Sequence, residues 1–320
     1  MIIFIAPPVS IFIVKKILNA IIKTIYIFKN REFSTKNISN YSEQINTDLI
    51  IFDDVFPHPL SAFRYSEYTE YLKYFDKIKI ICSDDSFVCF KESRDINYFV
   101  NEYLDKFPLF KYKLDTYKPT AFYKPKLIYV NFLRNVVHFD LGYRFNVPFI
   151  VNLYPGGLLQ VNDSITDNYF KKYLCSSYCK KVIVTQSYVY EYLVTNKLCP
   201  KEKIEFIFGG VISLELLDIK VSNKERYGFQ KNTLDICFVA QKYTEYGIDK
   251  GYDKFIEAAH ILVKKYDNIN FHVVGSFDKD VIDVSKIRER IAFYGTQPTE
   301  WFKDFYKNKD IIISPNIPFM

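Results

Sequence analysis

The chain has 320 residues, 49% of them hydrophobic and 25% charged, which excludes a disordered segment and leaves enough length for two domain cores. Its 43 basic and 37 acidic residues give a formal charge of +6. The lysines come in pairs such as Lys171-Lys172 and Lys180-Lys181, which suits anionic small ligands or a membrane surface and excludes the basic footprint of a nucleic-acid binder.

The first thirty residues, "MIIFIAPPVSIFIVKKILNAIIKTIYIFKN", are apolar, but Pro7-Pro8 and Lys15-Lys16 cut the run well below a membrane span and no cleavage-site pattern follows. A strand at 1–6, a helix at 11–22 and a strand at 24–28 are expected. Lys15, Lys16 and Lys23 flank an Ile-rich face that suits either burial under a sheet or peripheral contact with a membrane. Further strands are expected near 48–52, 77–82, 126–131, 148–153, 181–185 and 204–208, with helices near 64–75, 132–145, 166–178 and 187–196. This alternation of β-branched runs with helical periods marks a parallel α/β architecture, here one doubly wound domain over residues 1–211.

Pro200 ends a helix and Gly209-Gly210 turns the chain out, so 212–232 is expected as a linker. A second series over 233–320 follows, with strands at 234–240, 270–274, 290–294 and 310–314 and helices at 250–266 and 299–307. In the first of these helices Tyr252, Phe255, Ile256, Ala259, Val263 and Tyr266 recur at spacings of three and four, forming one apolar face. Asp249 is the expected N-cap, which puts Lys250 on the first turn beside unpaired N–H groups. A cation there is unfavourable unless an anion shares the site.

In the first domain "DDVFPHPLSAFRYSEYTEYL" places Asp53, Asp54, His58 and Arg64 at a strand's C-terminal end and the next helix start, where open parallel sheets bind ligands. Asp54, His58 and Arg64 then form an acceptor-side loop; alternatively Asp54 and Ser61 only cap, and His58 packs between Pro57 and Pro59. His138, His260 and His272 have no partner at ligand spacing and are expected to be structural. The six cysteines lie at 82, 89, 175, 179, 199 and 237; Cys175 and Cys179 share an expected helix, no zinc set is completed, and free thiols in a reducing cytosol are expected.

Two stretches, "ICFVAQKYTEYGIDKGYDKFIEAAHILVKKYDNINFHVVGSF" and "IAFYGTQPTEWFKDFYKNKDIIISPN", resemble the donor-binding half of GT-B glycosyltransferases, above all the retaining family-4 enzymes (glycosyl transferases group 1). The resemblance implies two Rossmann-like domains, with Lys250 and a second cation holding the diphosphate of a UDP- or GDP-sugar. That second position falls on Gln241 or Lys242, and Lys242 supplies the charge. Gly251 opens the helix with Lys250, Gly275 lets the nucleotide approach, and the Gly295-Thr296 turn borders the base; ordinary strand-end turns are the alternative for the glycines. "NVPFIVNLYPGG" resembles the loop facing the donor sugar. Tyr154-Pro155 stands where many relatives have a histidine, leaving the backbone of Gly156 and Gly157 to approach the sugar or its phosphate.

The resemblance further implies hexosyl transfer with retention to a glycan or lipid-linked acceptor in surface polysaccharide synthesis, in the cytoplasm or at the inner face of the membrane. No Asp-x-Asp loop is evident, so a metal-independent reaction is expected, with no cofactor beyond the sugar nucleotide. Beyond "SPNIPF" the family carries a Glu-x7-Glu pair that does not follow Met320. A truncated chain of weak or no activity, self-associating through an unfinished sheet, is the expectation. The alternatives are a GT-B sugar-nucleotide epimerase, using His58 with Asp53 or Asp54, and a non-catalytic nucleotide- or partner-binding fragment.

Overall fold

The computed structural model describes residues 9–28, 43–61, 63–87, 92–209, 225–298 and 301–316. The chain divides into two compact units, Met1–Leu217 and Asp218–Met320.

The first unit contains α1 (Val9–Phe28), β1 (Glu43–Asp53), α2 (Phe63–Tyr74), β2 (Ile78–Cys82), α3 (Ile96–Lys106), β3 (Leu114–Thr116), β4 (Ala121–Asn131), α4 (Leu133–His138), β5 (Phe149–Leu153), α5 (Ser164–Tyr169), β6 (Cys179–Val184), α6 (Ser187–Thr195) and β7 (Ile204–Phe206). Its seven strands are parallel, in the order β3-β2-β1-β4-β5-β6-β7. Successive residues of each strand enter opposite clusters. Leu49, Ile51, Ile80, Leu127 and Tyr129 join Ile17, Ile21, Leu72 and Phe99 on one face, while Ile50, Phe52, Ile81, Ile128 and Val130 join Val136, Phe139, Phe170 and Leu193 on the other. The period-2 split puts α1–α3 over one face and α4–α6 over the other, which is why these strands read as unbroken apolar runs. The strand order reverses between β1 and β4, and the C-terminal ends of those two strands flank the crevice at which such sheets take ligands.

Several expected elements differ. The strand placed at 24–28 is the last turns of α1; Thr24 Oγ1 donates to Ala20 O at 2.8 Å, satisfying the hydroxyl inside the helix. Residues 1–6 lie outside the described residues. α3 was not expected, although Ile96, Phe99, Val100 and Tyr103 line its buried side and Asp95 caps it by accepting from Tyr98 N. The short edge strand β3 was not expected either. α4 stops at His138, and α5 passes through one π turn at Phe170–Leu174. Cys179 opens β6, so Cys175 and Cys179 do not share a helix. No helix among the described residues is long and apolar enough to cross a membrane.

The second unit contains β8 (Leu234–Val239), α7 (Tyr252–Leu262), β9 (Ile269–Val274), β10 (Ile291–Phe293), α8 (Phe302–Phe305) and β11 (Ile311–Ile313). Its parallel sheet has the order β10-β9-β8-β11. Tyr252, Phe255, Ile256 and Ala259 of α7 are buried with Phe238 and Phe271, as their spacing predicted, but Val263 follows the helix end and Tyr266 is exposed. β11 is an edge strand, with Ile311 and Ile312 exposed by 42% and 57%. The chain is thus α/β with two Rossmann-like parallel sheets, the fold class expected.

Candidate functional site

On α2 the residues Arg64, Glu67, Tyr68 and Tyr71, at relative positions 0, 3, 4 and 7, form one buried face. An amphipathic helix ordinarily fills such a face with aliphatic side chains; here it meets the polar ends of β1, β4 and β5. Asp53, the last residue of β1, is fully buried and accepts from Val55 N (3.0 Å), Phe56 N (2.8 Å), Arg64 Nη1 (3.1 Å) and Tyr68 Oη (2.8 Å). Asp54 lies 3.3 Å from Arg64 Nη1 and 3.5 Å from Arg134 Nε, and accepts from Ser86 Oγ at 2.5 Å and Asn135 Nδ2 at 3.3 Å. Burial acts most strongly on both carboxyls. At Asp53 it raises the pKa against the pull of Arg64; at Asp54, Arg64, Ser86, Arg134 and Asn135 together outweigh it and lower the pKa.

Glu67 is also fully buried but has no cation. Tyr129 Oη (2.6 Å) and Tyr71 Oη (2.9 Å) donate to one oxygen and Asn131 Nδ2 (3.3 Å) to the other. Burial raises its carboxyl to about 7. Asn131 also donates to Tyr68 Oη at 2.9 Å, and Asn152 of β5 to Tyr129 Oη at 3.2 Å. One hydrogen-bonded chain therefore joins the C-terminal ends of β1, β4 and β5. Arg64 Nε, Asn135 Oδ1 and Asn152 Oδ1 are buried without a partner among the described residues.

Beside this network the loop after β5 is shaped by left-handed backbone. Phe132 has φ 71° at the end of β4, and Gly156, Gly157 and Leu158 have φ 96°, 53° and 69° in succession. A Cβ on Gly157 would lie 2.6 Å from Phe132 Cβ, so only glycine leaves room for that ring, whereas a Cβ on Gly156 would meet nothing within 4 Å. Phe63, Phe132 and Tyr154 form an aromatic group with centroids 4.4–6.0 Å apart, and the Arg64 guanidinium lies 4.5 Å from the Phe132 ring centroid. Residues of this kind in sparsely populated backbone regions gather at functional sites.

Of the expected acceptor-side residues, Asp54 and Arg64 come together here. His58 does not join them: it is buried with its ring 5.2 Å from Phe87 and 4.4 Å from Phe99, and Nε2 lies 3.2 Å from Glu92 Oε2. In place of packing between two prolines, its described contacts are these two rings and Glu92. Glu67, Tyr68, Asn131 and Asn152 escaped the sequence reading. The runs "LIYVN" and "FIVN" each end in asparagine after a buried strand, and that repeated break was the available signal.

In the second unit, the loop after β8 carries the other candidate residues. Gln241 Nε2 and Lys242 N donate to Ser276 Oγ at 3.1 and 3.3 Å, tying the ends of β8 and β9 together. Lys250 is the last residue of a 3-10 turn, Ile248–Lys250, and Gly251, left-handed with φ 69°, is the N-cap of α7. Asp249 is therefore not the cap, and Lys250 precedes the helix: a left-handed glycine separates the two helical turns. Lys250 Nζ lies 3.8 Å from Asp249 Oδ2 and 5.1 Å from the Tyr243 ring centroid, with the side chain 24% exposed. Neither Lys250 nor Lys242 gives its ammonium group a hydrogen-bond acceptor among the described residues.

The glycines here serve packing. A Cβ on Gly251 would strike the Pro315 carbonyl and one on Gly275 the Ala240 carbonyl, so each glycine makes room for a neighbouring backbone. Gly295 O accepts from Gly275 N at 2.8 Å, which sets Thr296 just past the end of β10. The three histidines expected to be structural each have a partner: His138 Nε2 is 3.0 Å from Asp85 Oδ2, His260 Nε2 is 3.1 Å from the Asp283 carbonyl oxygen, and His272 contacts Asp235 (2.6 Å) and Tyr294 (2.9 Å). Among the described residues no group of three His, Cys, Asp or Glu could hold a metal ion.

No protein-family model and no curated protein sequence matches the chain. Among solved structures, it is similar to Anabaena Alr3699/HepE in complex with UDP, with TM-score 0.53, 11% identity, and coverage of 84% of this chain and 74% of that one. A glycosyltransferase from Rickettsia africae aligns at TM-score 0.47 and 15% identity, covering 87% and 74% of the two chains. UDP-GlcNAc 2-epimerase from Neisseria meningitidis bound to UDP-GlcNAc aligns at 0.47 and 13%, covering 83% and 76%. At these identities the likeness speaks for the fold.

Proposed function

We propose that the chain is a GT-B glycosyltransferase that moves a hexosyl group from a nucleotide-diphosphate sugar to a glycan or lipid-linked acceptor, with retention and without a metal. The reading rests chiefly on Lys250. Its ammonium group, with no hydrogen-bond acceptor, lies beyond the C-terminal end of β8 and just ahead of α7. Lys242 follows the same strand end, so two cations border the place where a leaving diphosphate gathers charge, and preorganised cations stabilise that charge. The fold it shares with a structure that holds UDP supports the same ligand class. Asp54 and Arg64 are then on the acceptor side, and the open backbone at Gly156 faces the donor sugar or its phosphate.

Calorimetric titration with UDP and GDP, run beside Lys250→Ala, tests the reading. Binding of one nucleotide, weakened by the substitution, is the expected result and identifies the donor class. A folded wild-type chain that binds neither nucleotide overturns it.

A further inference from the structure

Before β6 and β7, the last two strands of the first sheet, lies a cavity of about 330 Å³, lined by Cys175, Val194, Lys197, Cys199, Pro200 and Lys201. Two of its six lining residues are thiols and two are lysines. Cys175 follows the π turn and is exposed, whereas Cys199 precedes the turn into β7 and is buried. The two are close: Cys175 Sγ sits 3.5 Å from the carbonyl oxygen of Leu198, the residue before Cys199.

We propose that Cys175 and Cys199 are a thiol pair that low-molecular-weight disulfides oxidise to a disulfide, with Cys175 the entry thiol and Cys199 the resolving one. Exposure fixes that order, because only Cys175 meets an incoming reagent, and Lys197 and Lys201 in the lining attract an anionic disulfide. Burial pushes the Cys199 thiol up to about 12, with Cys175 adding to the shift, so Cys199 is a poor first nucleophile. Its attack becomes productive once an activated sulfur is delivered beside it.

The chemistry balances. The Cys175 thiolate attacks one sulfur of oxidised glutathione, the external S–S bond breaks and one glutathione thiolate leaves. Cys199 Sγ then attacks Cys175 Sγ and expels the second. Two protein thiols are oxidised, one disulfide is reduced to two thiols, and the protein's protons pass to those thiols or to solvent. A solvent-accessible thiol beside a resolving one is the arrangement redox-responsive sites share. The bridge would close the segment holding β6 and α6.

The test treats the folded full-length chain with oxidised glutathione, followed by intact mass and peptide mapping. The wild type is expected to lose about 2 Da and to yield a Cys175–Cys199 cross-linked peptide. Cys199→Ser is expected to stop at a glutathione adduct on Cys175, about 305 Da heavier. Cys199→Ala repeats that arm if serine disturbs the buried site. Cys175→Ser should leave Cys199 unreacted. Three results would overturn the proposal: a stable adduct on Cys175 in the wild type, a bridge joining another pair such as Cys179 and Cys199, or no reaction at Cys175.

Discussion

The two units handle charge in opposite ways. In the first, Asp53, Asp54, Arg64 and Arg134 are spent on one another, and every oxygen of Asp53 and Glu67 has a donor. In the second, Lys242 and Lys250 follow β8 with no hydrogen-bond acceptor for either ammonium group among the described residues, and Lys250 has only a 3.8 Å ion pair with Asp249. A satisfied buried network fixes a shape, whereas a cation without a hydrogen-bond acceptor is, on the proposed reading, the feature that answers to an anion. Charges that look alike in sequence thus divide into those that build the site and those left for the ligand.

Asp53→Ala should test the first half hardest. It leaves Arg64 with Asp54 alone and strands three other donors in a dry interior, and a loss of about 3–5 kcal/mol in chemical denaturation is expected. A change below 1 kcal/mol would mean the network is not structural.

Glu67 sharpens the same point through pH. Its folded pKa of about 7 exceeds the ordinary 4.5, so its protonated form favours the folded state. That contribution is complete below pH 4.5 and is lost as pH rises through 7, a swing of about 3 kcal/mol. Glu67→Gln should flatten this part of the stability profile and raise stability at pH 8 relative to the wild type. Urea titrations at pH 5 and pH 8 would expose an unchanged slope.

Lys250→Ala carries the second half. Its nucleotide affinity should fall about 10- to 100-fold while unfolding stability stays within about 0.5 kcal/mol, since a partly exposed ammonium with no hydrogen-bond acceptor among the described residues stabilises little. Equal losses of affinity and stability would erase the contrast between the units. The smallest effect is expected at Gly156, where alanine meets open space but strained backbone. Thermal unfolding should register about 1 kcal/mol, and a larger drop in turnover would place that backbone against substrate.

Much of the sheet was legible because buried parallel strands are continuous apolar runs, as in "DLIIF" and "LIYV". Helix ends were harder to place. α1 ran through "TIYIF", whose β-branched and aromatic residues suit a strand by propensity, because tertiary burial outweighs a few tenths of a kcal/mol per residue. Lys250 was displaced across the helix boundary because Gly251 closes one turn and opens the next, which spacing does not reveal. Arg64 and Asp54 were found by their position after a strand. Glu67 was not, since a glutamate in a helix reads as solvated surface until Tyr129 and Asn131 of β4 are seen to donate to it.

Phe132 and Gly157 lie far apart along the chain, yet neither position can be chosen freely. A side chain at 157 needs the volume that the Phe132 Cβ and ring now fill, and both residues have left-handed backbone. Among homologous sequences the two sites should therefore vary as a pair, a side chain at 157 accompanied by glycine at 132. A library randomising both positions together should yield folded variants that single-site libraries at either position miss.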